Sequence, residues 1–183
     1  MISEIFYIQN FISEDLIEKL MSWAKNSVPI KDNYGGSPFE FLQPNGDSND
    51  DSIVYDIFSF LNKSIQENIE QKFSCRIFKE NLNAMIVYTP GSFLPKHIDN
   101  VPGQNLPTPN GYPSRDISST LYYNENYKGG EIFFVNQDLK IKPTAGSLLL
   151  FPSDEKYIHE VLPVISGIRY SSTNFWCVKE YVN

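Results

Sequence analysis

Residues 117–151 read ISSTLYYNENYKGGEIFFVNQDLKIKPTAGSLLLF, and the fold turns on how this stretch is parsed. It divides into β-rich runs at 117–124, 131–135, 138–142 and 147–151, each too short for an average helix. Between them lie the turn signals Lys128-Gly129-Gly130, Asn136-Gln137 and Thr144-Ala145-Gly146. Ser118, Thr120 and Tyr122 alternate with Ile117, Ser119, Leu121 and Tyr123, the period of a strand whose two faces meet different surroundings. The texture continues outward on both sides, with runs at 81–89, 93–99, 157–162 and 168–178 and turns at Pro90-Gly91 and Ser166-Gly167. About eight strands at this spacing predict a barrel or jelly-roll sandwich, hence a mainly β domain with flanking helices (α+β).

The first third of the chain reads differently. A short strand is expected over 4–8. Ser13 then suits a helix N-cap, with Glu14 and Asp15 at the positive end of the dipole. Leu16, Ile17, Leu20, Trp23 and Ala24 follow at helical spacing, and Pro29 ends the run. Residues 31–52, rich in Asp, Asn, Gly, Ser and Pro, predict a surface loop. A second helix is expected over about 53–71, with Ile53, Ile57, Phe58, Leu61, Ile65 and Ile69 as its apolar stripe. Segment 1–74 is thus a helical support for a β core over 75–183, in a single domain spanning 1–183. The segment 100–114 holds four prolines and two glycines without periodicity and reads as a binding loop or a plain connector.

With 183 residues, 41% of them hydrophobic and 20% charged, the chain suits one ordinary folded domain. No apolar run nears the roughly 18 residues of a membrane-spanning helix, so no membrane partner is expected. A net charge of −7 argues against a nucleic-acid binder, which needs a basic face to neutralise phosphates. Met1-Ile2-Ser3-Glu4 lacks a positive segment followed by an apolar one, so no signal peptide is expected and a cytoplasmic location is. Cys75 and Cys177 have no metal-type spacing and read as reduced core or strand residues. Trp23 and the apolar stripes are assigned to the core, which makes a monomer the expected state.

The chemistry-bearing residues are few. His97 and His159 are the only histidines. In a strand, His97 and Asp99 point the same way. Two histidines and a carboxylate form the facial ligand set of non-haem Fe(II), which leaves positions open for a cosubstrate and oxygen. Arg169 lies ten residues after His159 in the next β-run. An arginine pointing into a β core is costly unless a carboxylate meets it, and its fork matches a carboxylate bidentately. Plainer readings exist for each: a core histidine beside a loop aspartate, a rim salt bridge for Arg169, or an amphipathic strand over 117–123. His and carboxylate ligands also suit a hydrolytic or structural zinc site.

Six segments in order resemble those of a known family. Phe6-Tyr7-Ile8-Gln9-Asn10-Phe11-Ile12-Ser13 is similar to its strand-to-helix entry. Tyr88-x-x-Gly91 leading to His97-x-Asp99 resembles its proximal metal segment. Arg115-x-x-Ser118-x-x-x-Tyr122-Tyr123-Asn124 precedes Gly129-Gly130-Glu131 with Phe133 or Phe134, and Lys142-Pro143-x-x-Gly146 leads to Phe151. His159-Glu160-Val161-x-Pro163-Val164-x-x-Gly167-x-Arg169 resembles its distal histidine segment. The chain is similar to the 2-oxoglutarate- and Fe(II)-dependent oxygenases, specifically the prolyl 4-hydroxylase-like branch.

The resemblance implies a double-stranded β-helix (jelly-roll) barrel supported by the N-terminal helices. It implies that His97, Asp99 and His159 bind Fe(II), that Arg169 with Tyr122 receives the distal carboxylate of 2-oxoglutarate, and that Tyr88 lies near its keto-acid end. Arg115 and Trp176 fall on the substrate side, with loop 100–114. Ascorbate is an expected accompanying reductant, and O2 the oxidant. A prolyl residue in a peptide or protein is the implied substrate; a free amino acid or small metabolite is the alternative, and a catalytically silent binding domain a lesser one. Departures are Leu94 for a tyrosine, Ser118 for threonine, Tyr123 for leucine and Arg169 for the lysine of collagen-type members. The family's final tryptophan position holds Phe175, with Trp176 one place later, which leaves open the side chain that faces the pocket.

Overall fold

The computed structural model describes residues 4–34, 37–44, 48–79, 84–100 and 115–181. Strand β1 (Phe6–Ile8) leads into helix α1 (Glu14–Asn26), capped by the Ser13 hydroxyl, which accepts from the Leu16 N–H. Strands β2 (Ile30–Tyr34) and β3 (Ser37–Leu42) pair as an antiparallel hairpin before helix α2 (Asn49–Phe73). Next come β4 (Cys75–Lys79), β5 (Met85–Tyr88), β6 (Leu94–His97), β7 (Ile117–Tyr122), β8 (Lys128–Gly129) and β9 (Ile132–Phe134). Strands β10 (Leu139–Ile141), β11 (Leu148–Pro152), β12 (His159–Val161), β13 (Val164–Ser166) and β14 (Arg169–Tyr181) complete the order, with a 3-10 turn at Glu155–Tyr157 before β12.

The larger sheet runs β1-β11-β7-β14-β5-β3-β2, with β4 also paired to β14, and the smaller runs β10-β9-β12-β6. A separate two-stranded pair joins β8 and β13. This is the expected jelly-roll layering, but the sheets face each other without joining into one hydrogen-bonded cylinder.

Alternation along the strands assigns the two faces of the larger sheet. Ile117, Leu121, Leu148, Leu150, Met85, Val87 and Trp176 turn outward and bury the apolar stripes of both helices. Leu149, Phe151 and Tyr122 turn inward and pack on Ile132 and Phe134 from the smaller sheet. The helices are tied to each other where the Trp23 indole N–H donates to Asp51 at 2.8 Å, inside the first turn of α2.

Three expectations need correcting. Residues 31–52 are not one loop: β2 and β3 lie within them, because β3 finds a partner in β5 that local composition does not reveal. Helix α2 starts at Asn49, four residues before the expected 53, since Ser48 caps it and accepts from the Asp51 N–H at 3.1 Å. The turn signals at 128–130 and 166–167 overlap the paired strands β8 and β13. A Cβ on Gly129 would lie 2.1 Å from the Pro163 carbonyl oxygen, so only glycine lets these two backbones pair. Cys75 is buried in the core and Cys177 is half-buried in β14, each as a thiol. Segment 101–114 lies outside the described residues. Among those described, no helix is long and apolar enough to cross a membrane.

Candidate active site

β6 and β12 are antiparallel neighbours in the smaller sheet, and their register sets His97 directly beside His159. The imidazole centroids are 4.3 Å apart. Asp99, two residues beyond His97, is buried between them: its Oδ1 is 3.3 Å from His97 Nε2 and its Oδ2 is 3.6 Å from His159 Nε2. One ligand atom from each of the three lies within 4.8 Å of the others.

The ring orientations are fixed from behind. His97 Nδ1 donates to the Pro95 carbonyl at 2.8 Å and His159 Nδ1 to the Tyr157 carbonyl at 2.9 Å. With Nδ1 carrying the proton, each neutral ring turns the Nε2 lone pair toward the carboxylate. In that protonation state three acceptors converge, which is the donor set of a cation site; a second proton on His97 would instead be shared with Asp99 Oδ1. Asp99 is held in turn: Ser118 Oγ donates to its Oδ2 at 2.6 Å, and Ser153 Oγ lies 2.7 Å from Ser118 Oγ. Since the Ser118 proton is used on Asp99, the Ser153 hydroxyl is the donor of that second bond.

Burial disfavours charge on all three ligands, and their mutual contacts decide the outcome. Burial works to lower the His97 pKa, but hydrogen bonding to Asp99 and its charge raise it overall. Burial works to raise the Asp99 pKa, yet His97, His159 and Ser118 hold it below the usual carboxylate range. His159, packed against Phe134 and Phe151, is pushed down by burial beyond what Asp99 restores.

Arg169 opens β14 on the inner face of the larger sheet and is 2% exposed. Its guanidinium carbon lies 4.5 Å from the Tyr88 ring centroid and 5.2 Å from that of Tyr122. Among the described residues no carboxylate pairs with it, and its Nε and Nη1 have no hydrogen-bond partner. The Tyr122 hydroxyl is likewise buried and unpartnered. Tyr88 stands across from Arg169 in the strand register, stacked on Phe39, and so lies beside the guanidinium. A buried cation with orphaned donors and no anion fits the end group of a carboxylate ligand.

Arg115 is half-buried at the entry to β7, with its guanidinium carbon 3.6 Å over the Phe175 ring, and its charge is felt at His97. Trp176, expected on the substrate side, is not there. It is fully buried among the outward-facing core residues, with its indole N–H donating to Ser119 at 2.8 Å. The register of β14 runs without a bulge from Arg169 to Trp176, so a residue seven places from Arg169 takes the opposite face and Phe175, six places away, takes the same one.

Of the two aromatics left open, Phe175 is the inward one; two further inner residues were not read from the sequence, Ser153 and Tyr127, the latter with a buried hydroxyl that has no hydrogen-bond partner among the described residues. Parity from Arg169 would have found Phe175. For Ser153 and Tyr127, both outside strands, no periodic signal exists.

A sequence profile described as the 2OG-Fe(II) oxygenase superfamily matches residues 84–177. Human prolyl 3-hydroxylase 2 is 38% identical over 66 residues, covering 33% of this chain and 9% of that protein. The chain thus spans about a tenth of the length of that relative. The viral collagen prolyl hydroxylase of Paramecium bursaria Chlorella virus-1, solved with 2OG, superposes with a TM-score of 0.68 at 18% identity, over 99% of this chain and 97% of that one. A Trichoplax adhaerens prolyl hydroxylase, solved with a hypoxia inducible factor peptide fragment, gives a TM-score of 0.73 at 20% identity, over 96% and 84%.

Proposed function

Because the chain belongs to the 2OG-Fe(II) oxygenase superfamily, we propose that it hydroxylates a C–H bond of a prolyl residue in a peptide or protein, with decarboxylation of 2-oxoglutarate to succinate and CO2. His97, Asp99 and His159 hold the Fe(II), and Arg169 with Tyr122 takes the far carboxylate of 2-oxoglutarate. Together the bound metal and keto acid supply oxygen activation and C–H oxidation.

The protein's own part is placement and exclusion of water. The backbone carbonyls of Pro95 and Tyr157 fix the imidazole tautomers, and Ser118 fixes the carboxylate. Phe134 and Phe151 pack against the His159 ring and help keep water from it. Arg115 stacked on Phe175 offers a flat, cationic platform on the side toward the substrate, suited to a saturated ring and to peptide carbonyls.

The observation that carries this reading is the coexistence, on facing inner surfaces, of three converging acceptors and a buried guanidinium without a counter-ion among the described residues. Zinc hydrolysis would use the first and leave the second unexplained. The prolyl substrate draws support from the prolyl hydroxylases among the relatives and structural neighbours. Mass spectrometry of proline-containing peptides and free amino acids, incubated with Fe(II), 2-oxoglutarate and O2, tests it. A gain of one oxygen on proline within a peptide is expected, and fragment analysis reads the ring carbon. A gain on free proline alone would replace the peptide substrate with an amino acid.

A further inference from the structure

Tyr127 sits in the turn before β8, 6% exposed, with a buried hydroxyl that has no hydrogen-bond partner among the described residues. Its placement is not casual. Lys142 Nζ lies 3.5 Å over its ring and donates to the backbone carbonyls of Tyr127 (3.1 Å) and Gly129 (2.7 Å), pinning ring and turn together. A Cβ on Gly130, whose φ is +65°, would lie 3.1 Å from both Tyr127 Cε2 and Arg169 Cδ. The ring edge and the arginine stem therefore pack over one glycine. Since Cε2 adjoins the hydroxyl-bearing carbon, the hydroxyl end of the ring is the end that approaches Arg169.

The cluster around Arg169 is rich in donors and poor in anions. Among the described residues its Nε and Nη1 and the Tyr122 and Tyr127 hydroxyls have no partner at good hydrogen-bond geometry, although the guanidinium lies close enough to act on both phenols. Burial keeps both phenols protonated, against the pull of the neighbouring guanidinium, so each is an O–H donor and neither neutralises the cation. A carboxylate brings one negative charge and about four lone-pair sites, enough for the guanidinium and two hydroxyls at once. We propose that Tyr127 is a third recognition group for the diacid, its hydroxyl joining that of Tyr122 in donating to the distal carboxylate that Arg169 neutralises. The inference rests on the cosubstrate reading above and adds a residue that discriminates a keto diacid from a keto monoacid.

The test is Tyr127→Phe, which removes one oxygen and keeps the ring, the Lys142 contact and the packing on Gly130. Calorimetry on Mn(II)-loaded protein under nitrogen measures two dissociation constants, for 2-oxoglutarate and for 2-oxopentanoate, a keto acid of equal chain length without the second carboxylate. Loss of a hydrogen bond to a charged group is expected to weaken 2-oxoglutarate roughly tenfold or more, while 2-oxopentanoate and Mn(II) bind as before. An unchanged 2-oxoglutarate constant would overturn the assignment, as would an equal loss for both ligands, which would mean that the ring merely shapes the pocket. If the wild-type protein itself shows no preference for 2-oxoglutarate over 2-oxopentanoate, the cosubstrate reading fails at its root.

Discussion

Replacing Arg169 with methionine separates a recognition role from a structural one, because the two predict opposite signs for stability. In the ligand-free protein the guanidinium is 2% exposed and unpaired with any described carboxylate. Desolvating such an ion costs several kcal/mol, and the ring faces of Tyr88 and Tyr122 at 4.5 and 5.2 Å return about 0.5–2 kcal/mol each. Methionine fills similar length without a charge, so Arg169→Met is expected to leave the ligand-free protein as stable as wild type or more stable by about 1–4 kcal/mol. For a chain of this size that is a rise of roughly 2–4 °C in Tm per kcal/mol.

With 2-oxoglutarate bound, the same substitution strands a buried carboxylate, which costs about 3–5 kcal/mol, or roughly two to three and a half decades of affinity. Thermal unfolding of Mn(II)-loaded protein with and without 2-oxoglutarate reads both quantities. Wild type should gain Tm with the ligand; Arg169→Met should start no lower and gain almost nothing. A variant that unfolds several degrees early without ligand, yet binds 2-oxoglutarate as wild type does, would refute the reasoning.

Other substitutions probe the supports. Ser118→Ala takes from Asp99 its 2.6 Å donor and should weaken metal binding roughly tenfold or more, whereas Ser118→Thr should preserve it; metal titration decides. Gly129→Ala forces a Cβ onto the Pro163 carbonyl at a φ of +74° and should cost more than about 2 kcal/mol in denaturant unfolding, if the protein folds at all. Trp176→Ala should cost about 3–5 kcal/mol of stability while the folded fraction keeps its 2-oxoglutarate affinity. Phe175→Ala, which removes the platform beneath Arg115, should instead raise the KM for a peptide substrate with little change in Tm.

The sequence was most informative where a physical period is strict. Strand alternation put Ser118 and Tyr122 on one face, and the 3.6-residue stripe located both helices with Ser13 as the cap. His97, Asp99, His159 and Arg169 stood out as groups that are costly inside a β core and call for partners, and the resemblance to the oxygenase segments joined them into one site. The β2–β3 hairpin was not legible, since its pairing with β5 is tertiary and its polar composition resembles a loop. Ser48 and the acidic first turn of α2 also read as loop, because capping residues share their composition with turns. Trp176 was misplaced by size: a large aromatic near the family position was chosen over the parity that β14 obeys.

The measurement closest to the central claim is succinate formed from 2-oxoglutarate by anaerobically purified protein, reloaded with Fe(II) and exposed to O2 with a hydroxylatable peptide. Succinate should appear in step with oxygen gained by the peptide, and each of His97→Ala, Asp99→Ala and Arg169→Met should abolish or sharply reduce it. Turnover that persists in the His97 and Asp99 variants, or that runs with zinc and without O2, would contradict the account.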